Sequence, residues 1–407
     1  MVNIQRFKSL LLNGYILAHI ATFCTSIVTS IVAVNIFRSE EYVEFMTAFA
    51  VMNFLVPIVT MGAPSYIIKC VRAREGLLGV RSDVLTMIVF GCLIAAILLY
   101  VYNLLFGDIG VPFFWALGSS ISLALINIAG SSYRAESRPK KYFIGIAGSK
   151  FFLVVFVIFF GAFPLGESAG IILALAIITS SVVTLCLVKF QIMPDGGWEA
   201  HSLWRPLYFS IPLVVGNLIV LFYPFYERTL LSRLDDPEQV GVYIFVMDLA
   251  LKAAGGFLIF MKVTIFPKVM GMNIRQGDDL IRKARYVVVA SALSVVLLVY
   301  CAWIIVGDGE YFRGYGGNIP LYLCMAILLG MLTILSYTSV IKLVRVGRTY
   351  PVAIAGGAAV STYAFLATTL INDFGVKGGG GAMLISALIN TLFLEIFCIF
   401  GKKNDAI

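Results

Sequence analysis

Charged side chains stand inside several long apolar runs, where a membrane span should carry none. Asp248 and Lys252 lie within Val240–Phe266, Lys150 within Tyr142–Phe163 and Glu395 within Gly380–Gly401. A charge in hydrocarbon is costly unless it is paired or faces water, so each is a candidate for binding or transport. Asp248 and Lys252 are four residues apart, on one face of a helix. Lys252 falls roughly 18 Å along the helix from Val240, near mid-membrane. The pair either neutralises itself or lends its lysine to a phosphate. Lys150, about 12 Å into its run, either binds an anion or extends its ammonium to the cytoplasmic headgroups. Glu395 serves as a structural ion-pair partner or as an ion-coupling carboxylate.

Other candidates sit at span ends or are neutral. Glu227 and Arg228 follow Pro206–Tyr226. There the guanidinium either closes a solvated helix end or meets an arriving diphosphate, and Glu227 is a second ion-coupling candidate. Glu44 opens the second span and is a third, provided it faces a cavity. Asn13, Asn53 and Asn217 offer amides either to sugar hydroxyls or to neighbouring helices. Phe222, Tyr223, Phe225 and Tyr226 suit sugar rings or an interfacial aromatic belt.

The elements that position these residues follow from composition. Of 407 residues, 60% are apolar and 13% charged, with a mean hydropathy of +0.96. Soluble chains carry about 25% charged residues, so the solvent here is mostly lipid. Charge-free runs cover Ser9–Phe37, Phe45–Ile68, Val84–Gly107, Ile109–Tyr133, Ser168–Val188, Pro206–Tyr226, Tyr286–Gly307, Gly314–Ile341 and Thr349–Asn372. With the three charge-bearing runs they predict twelve transmembrane helices, an all-α polytopic membrane protein. With the N-terminus inside, inner segments hold 23 of the 30 Lys and Arg residues and outer loops 5. That places both termini in the cytoplasm. The net charge of +8 is thereby assigned to loops facing anionic membrane lipids, not to nucleic acid. Seven scattered cysteines without a C-x-x-C spacing, and two isolated histidines, His19 and His201, give no metal site and no disulfide framework. His19 is expected to be a packed residue rather than a proton relay. The first apolar run reads as an uncleaved helix. Outer loops of at most about a dozen residues, the longest Glu227–Gln239, leave little room for a periplasmic catalytic apparatus.

The Pro- and Gly-bearing stretch Gln191–Arg205 follows the sixth span. It divides the chain into an N-terminal six-helix lobe, 1–190, a cytoplasmic linker, 191–205, and a C-terminal six-helix lobe, 206–407. FRSEEYVEFMTAFAVMNFL and RLDDPEQVGVYIFVMDLAL, each leading from one span into the next, show faint internal similarity.

Ser210-Ile211-Pro212-Leu213, Glu227-Arg228, Val240-Gly241-Val242-Tyr243, Pro267 and Phe374-Gly375-Val376 with glycines 378–381 occur in an order that resembles one family. It is the Wzx-type O-antigen and polysaccharide flippases, in the polysaccharide-exporter branch of the multidrug/oligosaccharidyl-lipid/polysaccharide (MOP) superfamily. Gly62-Ala63-Pro64, Arg134-Ala135-Glu136 and Asn13 fit more loosely. The resemblance implies two lobes around a central cavity lined by spans one, two, seven and eight, as in MATE-like proteins. It implies a monomer of the bacterial inner membrane, working beside other polysaccharide-assembly proteins. Its substrate would be undecaprenyl-diphosphate-linked oligosaccharide, moved from the cytoplasmic to the periplasmic leaflet by alternating access. No cofactor is implied beyond possible coupling to protons or sodium. On that reading Lys252, Asp248, Arg228, Asn53, Asn217 and Lys150 contact diphosphate or sugar. Pro57, Pro64, Pro212 and Pro224 would let spans two and seven bend. The alternatives are a cation-coupled multidrug exporter of the same superfamily and, with less support from the loops, a membrane polysaccharide polymerase. The first span lacks the acidic residue that multidrug exporters often carry there.

Overall fold

The computed structural model describes residues 14–72, 78–106, 111–162, 168–190, 204–261, 269, 272, 274–306, 318–345 and 350–404. Asn13, most of the expected linker (191–203) and Pro267 lie outside the described residues. What is described is helical, with no strand among the described residues. Nine of its helices are long and apolar enough to cross a membrane. By packing, the chain divides into two compact units, Met1–Phe225 and Tyr226–Ile407.

Unit 1 contains α1 (Gly14–Ile36), α2 (Ser39–Thr60), α3 (Ala63–Arg72), α4 (Leu78–Phe106), α5 (Phe113–Ala135), α6 (Pro139–Phe143), a π-turn (Ile144–Gly148), α7 (Ser149–Ala162) and α8 (Ala169–Val188). The first part of α9 (Trp204–Leu231) belongs to it as well. α2 is its centre, packed by α4, α5 and α8, with Tyr42, Phe45, Met46 and Met52 almost completely buried. Serines let the backbones approach: Ser120 of α5 donates to the Met52 carbonyl at 3.2 Å, and Ser119 to that of Ala174 at 3.4 Å. α1 packs on α7, and its buried positions, Ala18, Thr29, Ser30 and Ala33, are small or hydroxyl residues. Thr22, Thr25 and Thr29 return their hydroxyl protons to carbonyls one turn back. This keeps a polar-looking helix satisfied without water. His19 packs beside Tyr142, whose hydroxyl lies 3.4 Å from its Nε2.

At the start of α2 the Glu41 carboxylate reaches back and accepts from the Arg38 backbone N–H at 2.9 Å. Its end explains Gly62-Ala63-Pro64. Met61 and Gly62 both take positive φ, 47° and 76°, and Pro64 then occupies the first turn of α3, where no backbone donor is needed. A Cβ on Gly62 would stand 2.7 Å from the Ser210 Cβ.

Unit 2 contains the end of α9, then α10 (Pro237–Phe260), α11 (Ile274–Val306), α12 (Ile319–Arg345), α13 (Tyr350–Phe374) and α14 (Val376–Asn404). α12 and α14 form its spine, with α10 and α11 against α12 and α13 against α14. Asp236 caps α10 by accepting from the Gln239 N–H at 3.0 Å, and Pro237 occupies the first helical position. Gly375, at φ 58°, alone turns α13 into α14.

These two glycines separate backbone strain from crowding. Gly375→Ala meets open space and costs about 1–2 kcal/mol from the left-handed backbone alone. Gly62→Ala adds a collision to the same strain and should lower the Tm of the purified protein further. Equal losses in thermal unfolding would contradict this account of the α2–α3 turn.

Candidate functional site

Among the described residues, buried charge gathers at the end of α9, where Glu227 and Arg228 face Tyr243 and Asp248 of α10. Glu227, Arg228 and Asp248 are all buried, and Tyr243 is completely so. The Asp248 carboxylate joins two cations: Lys252 Nζ at 2.6 Å from Oδ2 and an Arg228 guanidinium nitrogen at 3.3 Å from Oδ1. The i,i+4 spacing read from the sequence therefore forms an ion pair, and Arg228 joins it from a neighbouring helix.

Beside this triad, the Tyr243 hydroxyl donates to Glu227 Oε1 at 2.6 Å. Tyr243 packs edge-on against Tyr322 of α12, ring centres 5.2 Å apart. The glycine run opening α14 closes over the same place. A Cβ on Gly379 would lie 3.4 Å from Glu227 Oε1, and one on Gly380 2.7 Å from Met325 Sδ and 3.4 Å from the Tyr243 ring. Glycines that resemble a family motif thus let α14 seat on a buried carboxyl–phenol pair.

A second polar network ties three helices of unit 2. Arg285 of α11 donates to Thr338 at 2.6 Å and Ser339 at 2.8 Å on α12, and pairs with Glu395 of α14 at 2.5 Å. Ser339 also donates to Glu395. Glu395 thus contacts a cation that sequence reading counted merely as one more basic loop residue.

In unit 1 the remaining candidates are dispersed. Glu44 Oε1 accepts from the Gly170 N–H at 3.2 Å, where the first-turn amides of α8 attract negative charge. Asn53 donates to the Phe49 carbonyl at 2.7 Å. Asn217 is exposed on α9. Phe225 stacks on Phe54 at 4.4 Å, while in unit 2 Tyr226 shares a 2.8 Å hydrogen bond with Thr368. Lys150 Nζ lies 5.9 Å from the centre of the Phe49 ring. Phe49 is ten residues, about 15 Å, along α2 from Ser39. The tyrosines around Glu227 and the Arg285 partners were missed because each contact crosses between helices far apart in sequence.

Removing one member of a buried ion pair costs about 3–5 kcal/mol. Partly open Lys252 places Asp248→Asn toward the lower end of that range. The double variant Asp248→Asn/Lys252→Met should recover part of the loss, because one stranded cation goes with the carboxylate. Strict additivity in denaturation of the purified protein would refute the coupling. Tyr243→Phe should cost about 1–3 kcal/mol through the lost bond to Glu227.

No family model matches the sequence, and no curated protein sequence does. Solved structures do share its fold. The lipid II flippase MurJ in an inward closed conformation has 16% identity and a TM-score of 0.69, covering 95% of this chain and 87% of that one. An inward-facing multidrug resistance MATE family transporter of the MOP superfamily has 15% identity and a TM-score of 0.65, covering 95% and 99%. The MATE multidrug transporter DinF-BH, in complex with R6G, has 14% identity and a TM-score of 0.59, covering 94% and 93%. These proteins are transporters and flippases, not enzymes, and at such identities the likeness is one of fold. The chain is an all-helical, multi-pass membrane protein with the fold of these MOP-type transporters.

Proposed function

We propose that the chain is a flippase of the bacterial inner membrane, with both termini cytoplasmic. On this reading it carries an undecaprenyl-diphosphate-linked oligosaccharide, an O-antigen-type repeat unit, from the cytoplasmic to the periplasmic leaflet. The observation that supports this most is the Asp248 carboxylate held between Lys252 and Arg228. A buried anion shared by two cations marks a place where an incoming diphosphate can exchange for the carboxylate. Phosphate oxygens accept the same charge-assisted hydrogen bonds, and the cations stay compensated whether the site is loaded or empty. The lipid tail stays in the bilayer while 1–190 and 206–407 rock as two lobes. Asn53 and Asn217 serve sugar hydroxyls, and Lys150 is a further cation along the path.

Coupling to a proton or a sodium ion falls to Glu227 in this scheme. Glu44 has an oxygen on the Gly170 N–H and Glu395 is held by Arg285 and Ser339, whereas Glu227 meets a phenol.

The second reading, a cation-coupled multidrug exporter, draws support from the likeness to solved multidrug transporters. Two cations sharing one buried carboxylate favour an anionic cargo over it.

Deleting the gene and locating the lipid-linked oligosaccharide separates the readings. Accumulation in the cytoplasmic leaflet supports the flippase. Unpolymerised units on the periplasmic face would support a polymerase, and drug hypersensitivity without accumulation the exporter. Lys252→Ala should lower surface polysaccharide about tenfold or more, as expected for a lost charge-assisted bond, at unchanged membrane abundance, with Lys252→Arg partly active. Normal polysaccharide from Lys252→Ala would remove Lys252 from the site.

A further inference from the structure

The span that carries Lys150 is not a continuous α-helix. The π-turn Ile144–Gly148 separates α6 from α7, and a π-turn takes up about one residue more than an α-turn. Eight residues separate Tyr142 from Lys150. At about 100° each, an unbroken helix would leave Lys150 about 80° off the Tyr142 face. Absorbing one residue brings it within about 20°. Tyr142 is buried against Ala18, Ala129 and Tyr133, and Leu153, Val154 and Val157 bury the continuation of that face. The wide turn thus aims Lys150 into unit 1.

Its ammonium reaches the stretch of α2 where Phe49 and Asn53 are only partly buried. From Tyr42 to Thr60 every residue of α2 is buried except Glu44, Phe49, Asn53 and Phe54. Lys150 Nζ lies 5.9 Å from the Phe49 ring centre, and Asn53 is one turn further along, its Nδ2 on the Phe49 carbonyl. An ammonium, a partly exposed aromatic ring and an amide one turn apart form a set suited to a sugar that carries a carboxylate. The carboxylate meets Lys150, the ring lies on Phe49 and a hydroxyl meets the Asn53 amide. A diphosphate alone would make no use of the ring.

Building on the export reading, we infer that the transported glycan is acidic and that Lys150, Phe49 and Asn53 recognise a uronic-acid-type sugar in it. The full-length protein in vesicles is tested with two polyprenyl-diphosphate-linked oligosaccharides, one bearing a glucuronic acid and one with glucose at that place. Wild type moves the acidic lipid about tenfold faster, the scale of one charge-assisted hydrogen bond. Lys150→Gln loses the preference, moving the acidic lipid no faster than the neutral one, with its folding checked separately by thermal unfolding of the purified protein, and Lys150→Arg keeps the preference. Equal wild-type rates, or equal slowing of both lipids by Lys150→Gln, overturn the acidic-sugar assignment and leave the export reading standing. Wild-type vesicles that move neither lipid overturn both.

Discussion

A charge inside a bilayer must find a counter-charge or water, and the buried chemistry of this protein is arranged around that requirement. Asp248 is the clearest instance, one carboxylate between Lys252 and Arg228. Removing it would strand cations in a medium where an unpaired ion costs several kcal/mol. Arg285 meets the same constraint differently. It is held by two hydroxyls and a carboxylate spread over two helices, an arrangement that fixes α11 and α14 to α12. The two networks use similar residues for different ends. Around Arg285 the geometry is that of a clasp, since an outside anion would have to displace several bonds. At Asp248 a single carboxylate is the group to be displaced.

The second constraint is that backbone polar groups in lipid must be satisfied within the chain. Hydroxyls on α1 and α5 answer it by bonding to carbonyls of their own or a neighbouring helix. Turns answer it with positive-φ residues at 61, 62 and 375. Such devices make the helices smooth enough to pack closely, and close packing holds the charged side chains at fixed separations.

Legibility from sequence tracked the range of each interaction. Hydropathy delivered the helical membrane class, because it depends on runs of neighbouring residues. Asp248 and Lys252 were legible because a helix brings positions four apart together. Arg228 with Asp248, Tyr243 with Glu227 and Arg285 with Glu395 are separated by 20, 16 and 110 residues, and no local pattern encodes them. Lys150 shows a subtler limit on local reading. Counting along an ideal helix gives its depth, but its bearing depends on the π-turn, and apolar periodicity does not reveal one extra residue in one turn.

The glycines that open α14 show how a packing motif and a polar site can be one feature. In membrane helices, small residues are ordinarily explained by close helix contact. Here Gly379 and Gly380 bring α14 within van der Waals reach of Glu227 and Tyr243, and a Cβ on Gly380 would crowd Met325 Sδ. Because Arg228 follows Glu227 directly on α9, the seat of α14 also bears on the guanidinium that reaches Asp248. The backbone constraint and the charge constraint therefore meet at the same few residues.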